Sequence, residues 1–81
     1  MKTHPGIFLR ETLFKDHTVA DVAREMGFSY KCVFNLLTGM RNINLRIASR
    51  LAEMTDTTIT KWMLLQLEYD IYVFKKSQET A

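Results

Sequence analysis

Residues 18–39 read TVADVAREMGFSYKCVFNLLTG, and this stretch decides the fold. Thr18 offers a side-chain oxygen to the free N–H groups of a helix start, and Asp21 follows three residues on, near the positive helix end. Val22, Ala23 and Met26 then fall on one face of a short helix. Gly27 takes the left-handed conformation that ends a helix, Phe28 is apolar, and Ser29 caps the next helix at once. That next helix buries Val33, Leu36 and Leu37 and stops at Gly39. Two short helices therefore meet at a tight turn.

The flanking sequence supplies three more helices. Pro5 suits a first helical turn, where its missing N–H is not needed, and Leu9 with Leu13 forms an inward stripe over a first helix of about Pro5 to Phe14. A fourth helix is capped by Asn44, stapled by Ile43 and carries Ala48, Leu51, Ala52 and Thr55 toward the core. A fifth begins near Thr58 to Thr60 and is predicted over about 59–75. From 62 to 74 it is apolar or aromatic at ten of thirteen positions, too much for one face. The surplus predicts a symmetric dimer held chiefly by this helix, including some of Trp62, Leu65, Tyr69, Tyr72 and Val73, with core packing open to Trp62 as well. Lys75 and Lys76 are expected to complement the negative end of this helix. The whole reads as an all-α, five-helix unit with a long C-terminal helix, one domain over residues 1–81.

Composition agrees with that size and removes several function classes. The 81 residues are 47% hydrophobic, enough for one core, with three Gly, one Pro and no linker-like or repeated segment. No apolar run approaches the roughly 18 residues of a membrane span, and the first residues lack a signal-peptide plan, so a cytoplasmic protein is expected. Cys32, the single cysteine, has no internal disulfide partner; it reads as a small half-buried hydrophobe, with a redox role as the alternative. No Cys/His cluster has metal-site spacing, and neither His4 nor His17 has a nucleophile or paired carboxylate at motif spacing. No metal, no cofactor and no enzymatic activity are expected.

Charge is more informative by position than by sum. The formal net charge is only +2. Residues 1–25 balance Lys2, Arg10, Lys15 and Arg24 against four carboxylates, whereas residues 26–52 carry Lys31, Arg41, Arg46 and Arg50 with no acidic residue. Residues 53–81 are acidic on balance. The basic window includes the second helix of the tight pair. On that helix Lys31 and Asn35 lie opposite the buried stripe, Phe34 flanks them, and Ser29 and Tyr30 sit at the leading end. Asn pairs bidentately with adenine, Lys reaches guanine or phosphate, and an exposed aromatic meets a thymine methyl. Two capped helices across a glycine turn with such an outward face form a helix-turn-helix, which sets its second helix in the major groove. The plainer reading is an αα-hairpin in an ordinary bundle; spacing alone does not separate the two.

Over residues 4 to about 74 the chain resembles the HigA (VapI-like) antitoxins within the phage-repressor type of helix-turn-helix proteins. The resemblance rests on His4-Pro5-Gly6, Leu9-Arg10-Glu11, Val22-Ala23-Arg24, Met26-Gly27-Phe28-Ser29, Val33, Leu36-Leu37-Thr38-Gly39 and Arg41. It continues through Ala48, Arg50-Leu51-Ala52, Thr57-Thr58, Trp62, Leu65-Gln66 and Tyr69-Asp70. It implies a homodimer that binds a palindromic operator in its own promoter and neutralises a RelE-like, HigB-type mRNA-cleaving toxin. Anchoring that toxin is the alternative use of Trp62. Base reading then falls on Ser29, Tyr30, Lys31, Phe34 and Asn35, while Thr38, Arg41 and Asn42 occupy the loop that grips phosphate. Arg46 of the basic window joins that phosphate-binding set.

The chain departs from the family pattern in places. Val19 stands where a Gln usually opens the second helix, the Lys15-Asp16-His17 connection lacks the usual glycine, and Tyr30, Phe34 and Asn35 replace a more polar set. Three functions therefore stand side by side: an autoregulating antitoxin, a stand-alone repressor of a phage or mobile element, and a protein-interaction module without DNA binding.

Overall fold

The computed structural model describes residues 3–80; Lys2 of the charge count and both ends of the 1–81 domain lie outside the described residues. Five helices follow one another: α1 (Pro5–Glu11), α2 (Val19–Met26), α3 (Tyr30–Leu37), α4 (Leu45–Thr55) and α5 (Ile59–Thr80). The expected caps are in place. Thr18 Oγ1 accepts from the Asp21 N–H at 3.1 Å, Ser29 Oγ from the Cys32 N–H at 3.2 Å, and Asn44 Oδ1 from the Ile47 N–H at 2.9 Å. Each satisfies a helix-start donor that would otherwise lack a partner.

Helix ends follow the same logic. Gly27 sits at φ 74°, where a side chain is disfavoured, and the Phe28 N–H returns to the Ala23 carbonyl at 3.1 Å. Asp56 ends α4 in the same left-handed conformation without being glycine, and the Thr57 N–H bonds the Ala52 carbonyl at 2.9 Å. Arg50 reaches across to the end of α2, where its Nη2 donates to the Glu25 carbonyl at 3.0 Å while Nη1 pairs with Glu53 at 3.1 Å. It braces two helices, so the outward basic set of residues 26–52 is reduced to Lys31, Arg41 and Arg46.

Leu9, Val22, Met26, Val33, Leu36, Ile47 and Leu51 fill the centre, with Ala48 where α4 lies close to its neighbours. Burying each such side chain contributes about 1.5–3 kcal/mol. Gly6 permits the close crossing of α1 and α3, because a Cβ there would overlap the Leu36 carbonyl. Two sequence expectations are corrected here. α1 stops at Glu11 rather than Phe14, and the Phe14 N–H then bonds the Leu9 carbonyl at 2.9 Å. That wider turn swings Phe14 into the core and leaves Leu13 at 43% exposure, so the inward stripe is Leu9 with Phe14.

α5 is the second correction. It continues past residue 75 to Thr80, because no glycine or proline interrupts it. Lys75 and Lys76 are thus inside the helix; Lys76 pairs with Glu79 at 3.6 Å and lies 5.9 Å from the Tyr72 ring centre. At a rise of 1.5 Å per residue α5 spans about 33 Å and accounts for the long dimension of a 41 × 23 × 19 Å molecule. No helix among the described residues is long and apolar enough to cross a membrane.

Candidate nucleic-acid interface

The α2–α3 pair turns the buried stripe of α3 inward and leaves Lys31, Phe34 and Asn35 on the outer side. Tyr30 and Phe34, one helical turn apart, are 57% and 43% exposed and stack with ring centres 6.2 Å apart and planes 14° from parallel. An exposed aromatic pair is an unfavourable surface in water and a good surface for methyl groups. Asn35 is half-buried beside it, and Ser29, besides capping α3, stays exposed at its leading end. The five residues expected to read bases therefore share one helix and its cap.

Next to this face lies a cleft of about 260 Å³ lined by Ser29 and Cys32 of α3, Arg41, and Asn44 and Arg46 at the start of α4. Two helix N-termini and two guanidinium groups meet there. Such a combination attracts an anion through backbone N–H groups, helix dipoles and formal charge together. The Arg46 guanidinium rests 5.8 Å from the Phe28 ring centre, a contact that limits its wandering. Cys32 is half-buried in the cleft wall and free.

The remaining phosphate-binding candidates separate. Arg41 and Asn42 are exposed on the loop after α3. Thr38 is turned back: its hydroxyl donates to the Phe34 carbonyl at 2.8 Å and lies 3.3 Å from that of Asn35. A hydroxyl has one proton, and this one caps α3, so Thr38 is not available as a phosphate donor without giving up that bond. In the free chain the Thr38 hydroxyl is thus engaged within its own helix end. Two residues went unremarked in the sequence as support for this loop. His4 Nε2 lies 3.4 Å from Asn42 Oδ1, and Gln66 Oε1 accepts from the Ile43 N–H at 2.8 Å. Only the helix-cap role of His4 had a signal, in the His-Pro-Gly start.

The five α5 residues expected at a dimer face differ in how far the chain itself covers them. Trp62 is 4% exposed and belongs to the chain's own core, with its Nε1–H on Thr57 Oγ1 at 2.9 Å. Leu65 is half-buried against that core, and Tyr69 packs edge-on against His4 at 5.1 Å. Tyr72 is half-buried and Val73 exposed. At about 100° per residue Trp62, Leu65, Tyr69, Tyr72 and Val73 form one stripe, and its first three members face inward. The uncovered apolar stripe is the other one, Leu64, Leu67, Ile71 and Phe74, spaced 3, 4 and 3 apart like a coiled-coil seam.

Comparison with known proteins gives results for structures alone. No family model matches the chain, and no curated protein matches it. Solved structures do. A Pseudomonas aeruginosa protein in complex with its 28-bp operator DNA superposes with a TM-score of 0.90 at 29% identity, over 99% of this chain and 90% of that one. The Pseudomonas aeruginosa antitoxin HigA with the higBA promoter gives 0.87 at 32% identity, over 99% and 89%. An addiction-module antidote protein of the HigA family from Coxiella burnetii gives 0.85 at 33% identity, over 99% and 91%. Identity above 30% across nearly the full length of both partners settles the family: the chain belongs to the HigA antitoxins.

Proposed function

We propose that this chain is a cytoplasmic antitoxin and autorepressor that, as a homodimer, reads a palindromic operator with α3 and neutralises a RelE-like, HigB-type toxin. The observation that carries the DNA part is the adjacency of two surfaces. The varied outward face of α3 and the Arg41–Arg46 cleft share Ser29, so one docking pose sets bases against Tyr30, Lys31, Phe34 and Asn35 and a backbone phosphate against the cleft. Similar proteins carry their operator or promoter DNA in the solved complexes, which supports the same partner here. The function is binding throughout and needs no catalysis or cofactor.

Dimerisation is assigned to the seam of Leu64, Leu67, Ile71 and Phe74. A two-fold partner covers the same stripe on both chains and sets two α3 helices about 34 Å apart, one duplex turn. The toxin is assigned through family membership.

Anisotropy titration against the chain's own upstream DNA and a scrambled duplex at fixed salt tests the repressor. Specific binding on the order of 10³-fold or more over scrambled DNA is expected. Equal affinity for both would leave a protein-interaction module. Co-expression with the adjacent reading frame tests the antitoxin: restored growth and co-purification are expected, and their absence would leave a stand-alone repressor.

A further inference from the structure

His4 and Gln66 are the two polar side chains buried among the described residues, at 5% and 4% exposure. They come from opposite ends of the chain and serve one short loop. His4 caps α1: its Nδ1 accepts from the Gly6 N–H at 2.9 Å. A neutral ring that accepts at Nδ1 carries its proton on Nε2, so the 3.4 Å contact to Asn42 is an Nε2–H donated to Oδ1. With Oδ1 engaged toward the protein, the Asn42 amide nitrogen is left for an outside acceptor. Gln66 Oε1 meanwhile holds the Ile43 N–H at 2.8 Å, and its Nε2 donates to Asp70 Oδ1 at 2.9 Å, which fixes the amide against flipping.

A buried polar group is retained at a cost in desolvation unless its bonds are made; each of these two anchors one end in its own helix or helix cap, on Gly6 or Asp70, and turns the other to residue 42 or 43. Resting on the DNA-binding reading above, we propose that His4 and Gln66 are positioning residues for backbone binding: they hold the loop so that Asn42 presents its amide N–H groups, beside Arg41, to a phosphate. The support lies partly on α5, through Gln66, Asp70 and the Tyr69 ring that packs on His4. The loop is thereby tied to the far helix rather than to the recognition helix alone.

His4→Asn tests this, because Asn still accepts from the Gly6 N–H as an N-cap but is too short to reach Asn42. Asn42→Ala, the double variant, Gln66→Met and Asn42→Asp complete the set, with melting curves recorded for each. In the free protein, amide hydrogen exchange at Ile43 is expected to be slow in the parent and about tenfold faster or more in Gln66→Met. On DNA, His4→Asn and Asn42→Ala should each weaken operator and scrambled duplex alike, by about two- to tenfold, the range of one hydrogen bond. In the Asn42→Ala background, His4→Asn should have no further effect.

Asn42→Asp is exposed and keeps an acceptor for His4, so it serves if His4→Asn does not fold. It should leave Ile43 protected yet weaken both duplexes. A full His4→Asn loss persisting without the Asn42 side chain would overturn the proposal, as would unchanged DNA affinity in both Asn42 variants. A parent that protects Ile43 but binds no DNA would instead overturn the DNA-binding reading on which the loop's role depends.

Discussion

α3 and residues 62–74 of α5 are similarly rich in apolar residues, yet one separates its faces cleanly and the other does not. On α3, Val33, Leu36 and Leu37 go inward and Lys31 and Asn35 stay out, so the polar positions mark the solvent side. On α5 apolar residues occur all round, and polarity gives almost no orientation. The side of α5 that the chain covers carries the Trp62 indole in the core and two hydrogen bonds, the indole on Thr57 and Gln66 on the Ile43 backbone. A helix that is apolar on two sides has two candidate interiors, and the hydrogen-bonding side chains lie on the one the chain covers itself.

Breaking each side of α5 separately gives the largest effects. Trp62→Ala removes a core side chain and a buried indole bond, and should destabilise the protein by about 3–5 kcal/mol, read by chemical denaturation. Ile71→Glu, on the uncovered seam, should leave the chain folded while halving its mass in sedimentation at micromolar concentration. It should also reduce operator affinity toward that of a half-site. Identical stability losses for the two variants, with no change in mass for Ile71→Glu, would reverse the assignment of the faces.

On α3 and its loop the effects are smaller and fall on binding. Asn35→Ala and Phe34→Ala should each weaken the operator by about 1–3 kcal/mol, with relaxed preference at one base pair. Deoxyuridine in place of the contacted thymine should reproduce the Phe34→Ala loss, since it removes only the methyl. Arg41→Ala should weaken operator and random DNA together and lower the salt slope by about one. Equal losses on both duplexes for Asn35→Ala would move it from the base-reading set to the phosphate set.

Much of this was legible in the sequence, and the reasons are local. Thr18, Ser29 and Asn44 could be named as caps because capping needs an oxygen side chain just before an apolar period, and no distant residue is involved. Gly27 marked its turn for a similar reason. The places where the reading failed depend on something far away or on one turn of helix more or less. Leu13 and Phe14 exchanged roles because α1 ended early, and the sequence left Trp62 between core and dimer packing, a choice that depends on its distant core neighbours. The His4 and Gln66 supports span 38 and 23 residues, separations that no pattern in the sequence reveals.

Thr38 supplies the smallest expected effect and the finest distinction between gripping DNA and finishing a helix. Its hydroxyl bonds the Phe34 carbonyl within its own helix end, where that oxygen also accepts the Thr38 N–H at 3.1 Å. Thr38→Val keeps the β-branched shape and removes the bond, so stability should fall by about 0.5–1.5 kcal/mol, the net worth of one hydrogen bond. If the hydroxyl has no part in holding phosphate, affinity for both operator and scrambled DNA should remain within measurement error once the fraction folded is accounted for. The salt slope should not move either, because no charge is removed. A uniform drop in affinity with unchanged melting would mean that Thr38 releases its helix bond on DNA and turns outward. The loop would then rearrange on binding, rather than being held ready by His4 and Gln66 beforehand.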